Sequence, residues 1–180
     1  YRIGVVNMSW GGHERSKILE TLIKKLLKAN IVVVAAAGNE GQDNSRLPVY
    51  PASLKGVISV ASVTVDEEGN VELSDFSNFG NVTIAAPGDE VVTTFPEYNY
   101  GLASGTSFAA PFVAGAAALY LSKYQGATPE QVREAIQRSC TRIEELRGYV
   151  TNGCLLNVHK LLTTKPIKKK GDKKNKRRRR

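Results

Sequence analysis

Residues 105–124, GTSFAAPFVAGAAALYLSKY, limit the folds open to this chain more than any other stretch. Pro111 has no amide hydrogen and suits a first helical turn, so a helix is expected to start between residues 105 and 110 and run to about Tyr124. From Phe112 to Leu121 its body is apolar nearly all the way round, which argues for burial on every side and makes the helix central. Ser104, Thr106 and Ser107 crowd its start, where free amides and the positive pole of the helix dipole lie. Two readings fit them: hydroxyls that cap the helix, or a reactive group placed where negative charge is stabilised.

The remaining pattern says what surrounds such a helix. Residues 2–9 (RIGVVNMS), 31–37 (IVVVAAA), 57–63 (VISVASV) and 82–86 (VTIAA) read as strands that are apolar continuously rather than alternately. Strands of that kind, joined by helices, point to a parallel sheet covered on both faces. One covering helix lies in ERSKILETLIKKLLKAN, where Ile18, Leu19, Leu22, Ile23, Leu26 and Leu27 recur at helical spacing. Residues 91–103 are expected to form a hairpin that leads into the central helix. Thr128, Pro129, Glu130 and Gln131 form a capping box that opens a helix to about Arg138, and a short helix over residues 156–162 closes the domain. No internal repeat is visible. The expected class is therefore α/β, one domain over residues 1–164.

The net charge of +8 is misleading about that domain. Residues 165–180 hold seven lysines, four arginines and one aspartate, a net +10, which leaves −2 for everything before them. A run such as KKKGDKKNKRRRR cannot bury apolar surface and repels itself, so it reads as a disordered polybasic tail. It is either a solvated arm without a partner, an import-like address, or a patch for nucleic acid or anionic membrane. Cys140 and Cys154 fit a disulfide and two buried thiols equally well, and no CxxC pair or zinc-type spacing occurs. No membrane segment or signal peptide is recognised. Residue 1 is tyrosine inside a strand-like run, which suggests a fragment of a longer protein.

Ligands of open parallel sheets gather beyond the carboxyl ends of the strands. Three segments are expected there: NMSWGG, AAAGNEG and SGTSFAAP. GTSFAAPFVAG resembles the nucleophile motif of the subtilisin-like serine proteases, AAAGNEG their oxyanion segment and NMSWGG their substrate-binding strand, in the family's order. The resemblance implies a subtilisin-like three-layer fold, a parallel sheet flanked by helices and incomplete at the N-terminus. It implies a serine endopeptidase working through an acyl-enzyme, with Ser107 as nucleophile and Asn39 as an oxyanion donor beside the Ser107 amide. Ser9, Trp10 and Gly11 would pair with extended substrate, Ala36, Ala37 and Gly38 would wall the pocket, and Val49 would form a shallow floor.

A serine needs an imidazole oriented by a carboxylate. The family's Asp and His motifs are not found here. His13 and His159 read as solvated or packing residues, so the catalytic Asp and His are expected in a missing N-terminal half, and the chain alone is expected to be nearly inactive. A non-catalytic remnant with a peptide-binding cleft is the alternative. The chemistry calls for no cofactor or metal. The resemblance admits a structural calcium, with carbonyls of residues 52–57 as donors, and a propeptide as partner, and it favours the secretory pathway.

Overall fold

The computed structural model describes residues 3–97 and 99–167. Its centre is a sheet ordered β1-β2-β3-β5-β9-β8. β1 (Val5–Met8), β2 (Val32–Ala36), β3 (Ile58–Val65), β5 (Ile84–Pro87) and β9 (Cys154–Leu155) run parallel. β4 (Val71–Leu73) pairs antiparallel with the end of β3, and β8 (Thr141–Arg142) antiparallel with β9. The expected parallel sheet is thus present with three short additions, β4, β8 and β9. Strands of two or three residues are too brief to show a hydrophobic period. β6 (Val91–Phe95) and β7 (Asn99–Ala103) form the expected hairpin, apart from the sheet.

β2 shows why its sequence does not alternate. Val32, Val34 and Ala36 face a core built with α2 (Thr106–Lys123), α3 (Pro129–Ser139) and α4 (Val158–Thr163). Val33 and Ala35 face the opposite layer with Met8, Leu54 and Ile23 of α1 (Lys17–Lys28). Both faces are dry, so both sets of positions must be apolar. α1 starts at Ser16, whose Oγ accepts from Leu19 N. α3 starts at the expected box: Gln131 N donates to Thr128 Oγ1 and Thr128 N to Gln131 Oε1. Among the described residues no helix is long and apolar enough to cross a membrane.

Four features add to or depart from expectation. Pro111 is the sixth residue of α2 rather than part of its first turn. The cap is Gly105, and no side chain caps the helix, because each hydroxyl at its start is bonded elsewhere. α2 is also not buried on every side. Phe112 and Leu119, 46% and 52% exposed, share an outer stripe with Gly115 and Ala118 that no described residue covers. Finally, Cys140 and Cys154 form a disulfide with Cα atoms 5.4 Å apart, which decides between the two readings left open. It ties the end of α3 to β9.

The expected tail begins in contact with the domain. Arg138 Nη2 donates to Lys165 O and Gln131 Nε2 to Ile167 O, so α3 holds residues 165–167. Residues 168–180, which carry most of the basic charge, lie outside the described residues.

Candidate active site

β1 and β2 are parallel neighbours, so the turns that leave them emerge at one end of the sheet, where α2 also begins. The three segments singled out in the sequence meet there around a cavity of about 330 Å³. Gly11, Ala36, Gly38, Asn39, Val49 and Ser107 all line it, and Trp10 stands half-exposed at its edge. Ala37 does not reach it. One step along an extended strand turns a side chain to the other face, and Ala37 packs against Ala61, Val63 and Val82 instead. Its carbonyl accepts from Asn44 Nδ2 at 2.8 Å and Asn78 Nδ2 at 3.3 Å.

The start of α2 is tied to both strands. Thr106 N and Thr106 Oγ1 each donate to Asn39 Oδ1 at 2.8 Å. Gly38 N in turn donates to Thr106 Oγ1 at 3.2 Å. With its oxygen held twice, the Asn39 side chain has one orientation, and its Nδ2 lies on the Gly105 side, 3.4 Å from where a Cβ on Gly105 would sit. Gly105 has φ +149°, a backbone that favours glycine, so a side chain there would be strained as well as crowded against the amide.

Ser9 and Ser107 are bonded reciprocally. Ser107 Oγ donates to Ser9 O at 3.1 Å, and Ser9 Oγ donates to Ser107 O at 2.7 Å. The second bond explains how a proline sits inside α2. The Ser107 carbonyl would normally accept from residue 111, which is proline and has no N–H. Ser9 supplies the missing donor, and so the defect in the helix becomes the joint between α2 and the turn after β1.

The floor is equally constrained. A Cβ on Gly11 would sit 2.8 Å from Val49 Cγ1 and 3.0 Å from Tyr50 O, so only glycine allows this approach. Gly12 and Tyr50 exchange both backbone hydrogen bonds, at 3.0 and 2.8 Å, which fixes buried Val49 under the cavity.

Three residues support the site. His13 is exposed, as expected, and lies at the cavity wall, with Nδ1 3.3 Å from Pro48 O and Nε2 3.3 Å from Gln42 Nε2. Neither His13 nor exposed His159 is hydrogen-bonded to Ser107. Thr106 is the clamp on Asn39. Asn78, fully buried, accepts from Glu40 N at 2.9 Å and Gln42 N at 3.1 Å and donates to Glu40 Oε2 at 2.7 Å, which shapes the turn that carries Asn39.

A calcium at residues 52–57 would be held by backbone carbonyls. The segment over residues 52–57 offers backbone carbonyls around Lys55, and Leu54 O already accepts from Val57 N. Among the described residues no three His, Cys, Asp or Glu side chains cluster as a metal site.

The chain is similar to known proteins along nearly all of its length. It is 41% identical over 143 residues to Subtilisin DY of Bacillus licheniformis, an alignment covering 78% of this chain and 51% of that protein. It is 35% identical over 164 residues to the Major intracellular serine protease of Bacillus subtilis (strain 168), covering 89% and 48%. Among solved structures, one described as proteases from Pseudoalteromonas arctica PAMC 21717 superposes with a TM-score of 0.78 at 28% identity, over 89% of this chain and 50% of that one. The chain spans about half the length of these relatives. The subtilisin-like fold read from its motifs is thus present. A model of the subtilase family matches residues 1–176, and the chain belongs to that family.

Proposed function

We propose that this chain carries the nucleophile and oxyanion hole of a serine endopeptidase. The observation that supports the reading is that Ser107 and Asn39, far apart in sequence, line one cavity at the start of α2, with the Asn39 amide clamped by Thr106. Ser107 Oγ attacks the carbonyl carbon of the scissile peptide bond. The carbonyl oxygen gains negative charge and is met by Asn39 Nδ2 and the Ser107 N–H, near the positive end of α2. The leaving amine takes a proton, an acyl-enzyme forms on Ser107, and water releases it. Ser9, Trp10 and Gly11 pair with extended substrate, and the side chain before the scissile bond enters between Ala36, Gly38 and Val49.

The imidazole that accepts the Ser107 proton, and the carboxylate that orients it, belong to polypeptide that covers the bare stripe of α2. The twofold greater length of the relatives supports that assignment. Residues 1–164 are on this reading the C-terminal portion of the peptidase domain, and residues 165–180 a basic appendage for an anionic polymer or membrane. The Cys140–Cys154 disulfide supports an oxidising compartment.

A second reading, a peptide-binding cleft without catalysis, is favoured by one feature: the Ser107 hydroxyl is bonded to Ser9 O and to no base. One experiment separates the two. In the full-length protein a fluorophosphonate is expected to label Ser107, and Ser107→Ala to abolish labelling. Absence of labelling in a folded protein that still binds peptides would leave the cleft reading standing.

The floor gives a specificity prediction. Val49→Gly deepens the cavity by a whole side chain, and a few methylenes in an apolar pocket are worth about 1–3 kcal/mol each. Relative kcat/KM for phenylalanine over alanine before the scissile bond is expected to rise about tenfold or more, measured with a matched pair of peptide substrates. An unchanged ratio would remove Val49 from the pocket floor.

A further inference from the structure

Between β5 and β6 the chain makes a tight turn, residues 88–90, that no part of the proposed reaction uses. Its groups nonetheless grip the start of α2 from the side opposite Asn39. Asp89 is half-buried, and Thr64 Oγ1 donates to its Oδ2 at 2.8 Å. The Ser104 hydroxyl is near enough to the same carboxylate to help hold it below its ordinary value. Ser104 Oγ accepts from Glu90 N at 3.0 Å, which ties it to the residue after Asp89. One residue on, Gly105 N donates to Gly88 O at 2.8 Å. These bonds flank the Gly105 backbone at φ +149°, and the next amide, Thr106 N, is one of the two donors that clamp Asn39 Oδ1.

We infer that Asp89 is a positioning residue for the oxyanion hole: anchored to β3 through Thr64, it fixes the turn whose Glu90 amide and Gly88 carbonyl hold Ser104 and Gly105, and so sets where Thr106 stands and where Asn39 aims its amide. The inference rests on the proposed function. Two further features fit it. Among the described residues Asp89 takes part in no ion pair, and the donor to its carboxylate is a hydroxyl fixed on β3, Thr64 Oγ1, and not a cation that could drift on the surface. Glu90 has φ +50°, an uncommon backbone for a residue with a side chain, and its amide is one of the groups that Ser104 holds. Hydrogen bonds from Ser104 and Thr64 keep the Asp89 carboxyl below its ordinary value, so the network stays anionic at neutral pH.

Charge and position predict opposite outcomes, which makes the role testable. A carboxylate beside the start of α2 disfavours a second negative charge on the oxyanion, so loss of the charge alone would raise kcat. Loss of positioning lowers it, because small misplacements of groups that act only in the transition state reach kcat while leaving substrate binding intact.

The test uses the full-length protein and a peptide p-nitroanilide. Asp89→Ala and Ser104→Ala are each expected to lower kcat about tenfold with KM within about twofold, and the double variant to be no slower than the worse single one. Asp89→Glu is expected to recover part of the loss. Affinity for a peptide boronate, whose tetrahedral adduct places an oxygen in the oxyanion hole, should fall in parallel while affinity for the corresponding peptide amide holds. Asp89→Asn, which keeps one acceptor and nearly the same shape, serves if the alanine variant does not fold, and is expected to slow the enzyme. Unchanged or increased kcat in folded variants, or a loss confined to KM, would overturn the inference alone. A wild-type protein that neither hydrolyses the substrate nor reacts with fluorophosphonate would overturn the functional reading and this inference with it.

Discussion

Asn39→Leu is expected to lower kcat about 10²–10³-fold with KM nearly unchanged, a magnitude known for this donor in subtilisin itself and carried over here rather than calculated from the structure. Leucine has a similar shape, so the cavity persists, but Nδ2 is lost. On the proposed function that donor matters only once the carbonyl oxygen becomes an oxyanion, which is why the effect is expected in kcat. Leucine also strips the acceptor from Thr106 N and Thr106 Oγ1, so part of any loss would reflect a loosened helix start. Asn39→Asp separates the two effects. It retains an oxygen for Thr106 and replaces the donor by an anion facing the oxyanion, so folding should be kept while kcat falls at least as far. Steady-state kinetics with a thermal melt on the same samples checks this, and near-normal turnover by Asn39→Asp would exclude the Asn39 amide from the oxyanion hole.

What the sequence shows of this site, and what it hides, follows from the range of the interactions. The strand ends were legible because burial on both faces leaves a mark on every residue: IVVVAAA has no polar position, and the turn that follows it, GNE, must lie where the sheet ends. Ser107 and Asn39 were singled out by motif order, and the fold brings both to one cavity. Ala37 was misplaced because a run of three alanines carries no record of which one points inward, and only the pairing of β2 with its neighbours fixes that phase.

Pro111 was placed in the first turn, and the capping reading of the three hydroxyls stayed open, for a related reason. Proline in a helix is judged by local rules, in which the freed carbonyl has no partner. Here the partner is Ser9, 98 positions away, and a bond of that span leaves no local pattern. The same holds for Thr106, which reads as a cap and acts as a clamp on another strand end. The α2 stripe is a different case. Phe112 and Leu119 do read as buried, and no described residue covers them.

Asn78 is where a long-range interaction should cost the most stability, and Asn78→Leu is expected to destabilise the protein by about 3 kcal/mol or more. The side chain is fully buried, yet its Oδ1 takes the amides of Glu40 and Gln42, which have no neighbouring strand to pair with. Its Nδ2 donates to Ala37 O, Glu40 Oε2 and Asn44 Oδ1. A leucine of similar volume fills the place of the oxygen and leaves the two amides without their acceptor, at about 1–3 kcal/mol each. Ala37 O loses less, because Asn44 Nδ2 still donates to it at 2.8 Å. Against a total stability of about 5–15 kcal/mol, this is a large share for a residue that touches no substrate. The turn that Asn78 shapes carries Asn39, so activity should fall along with the urea midpoint, in contrast to Asn39→Asp, where activity falls alone. If Asn78→Leu unfolds at the same urea concentration as the wild type with an unchanged slope, the turn after β2 is held by something other than this asparagine.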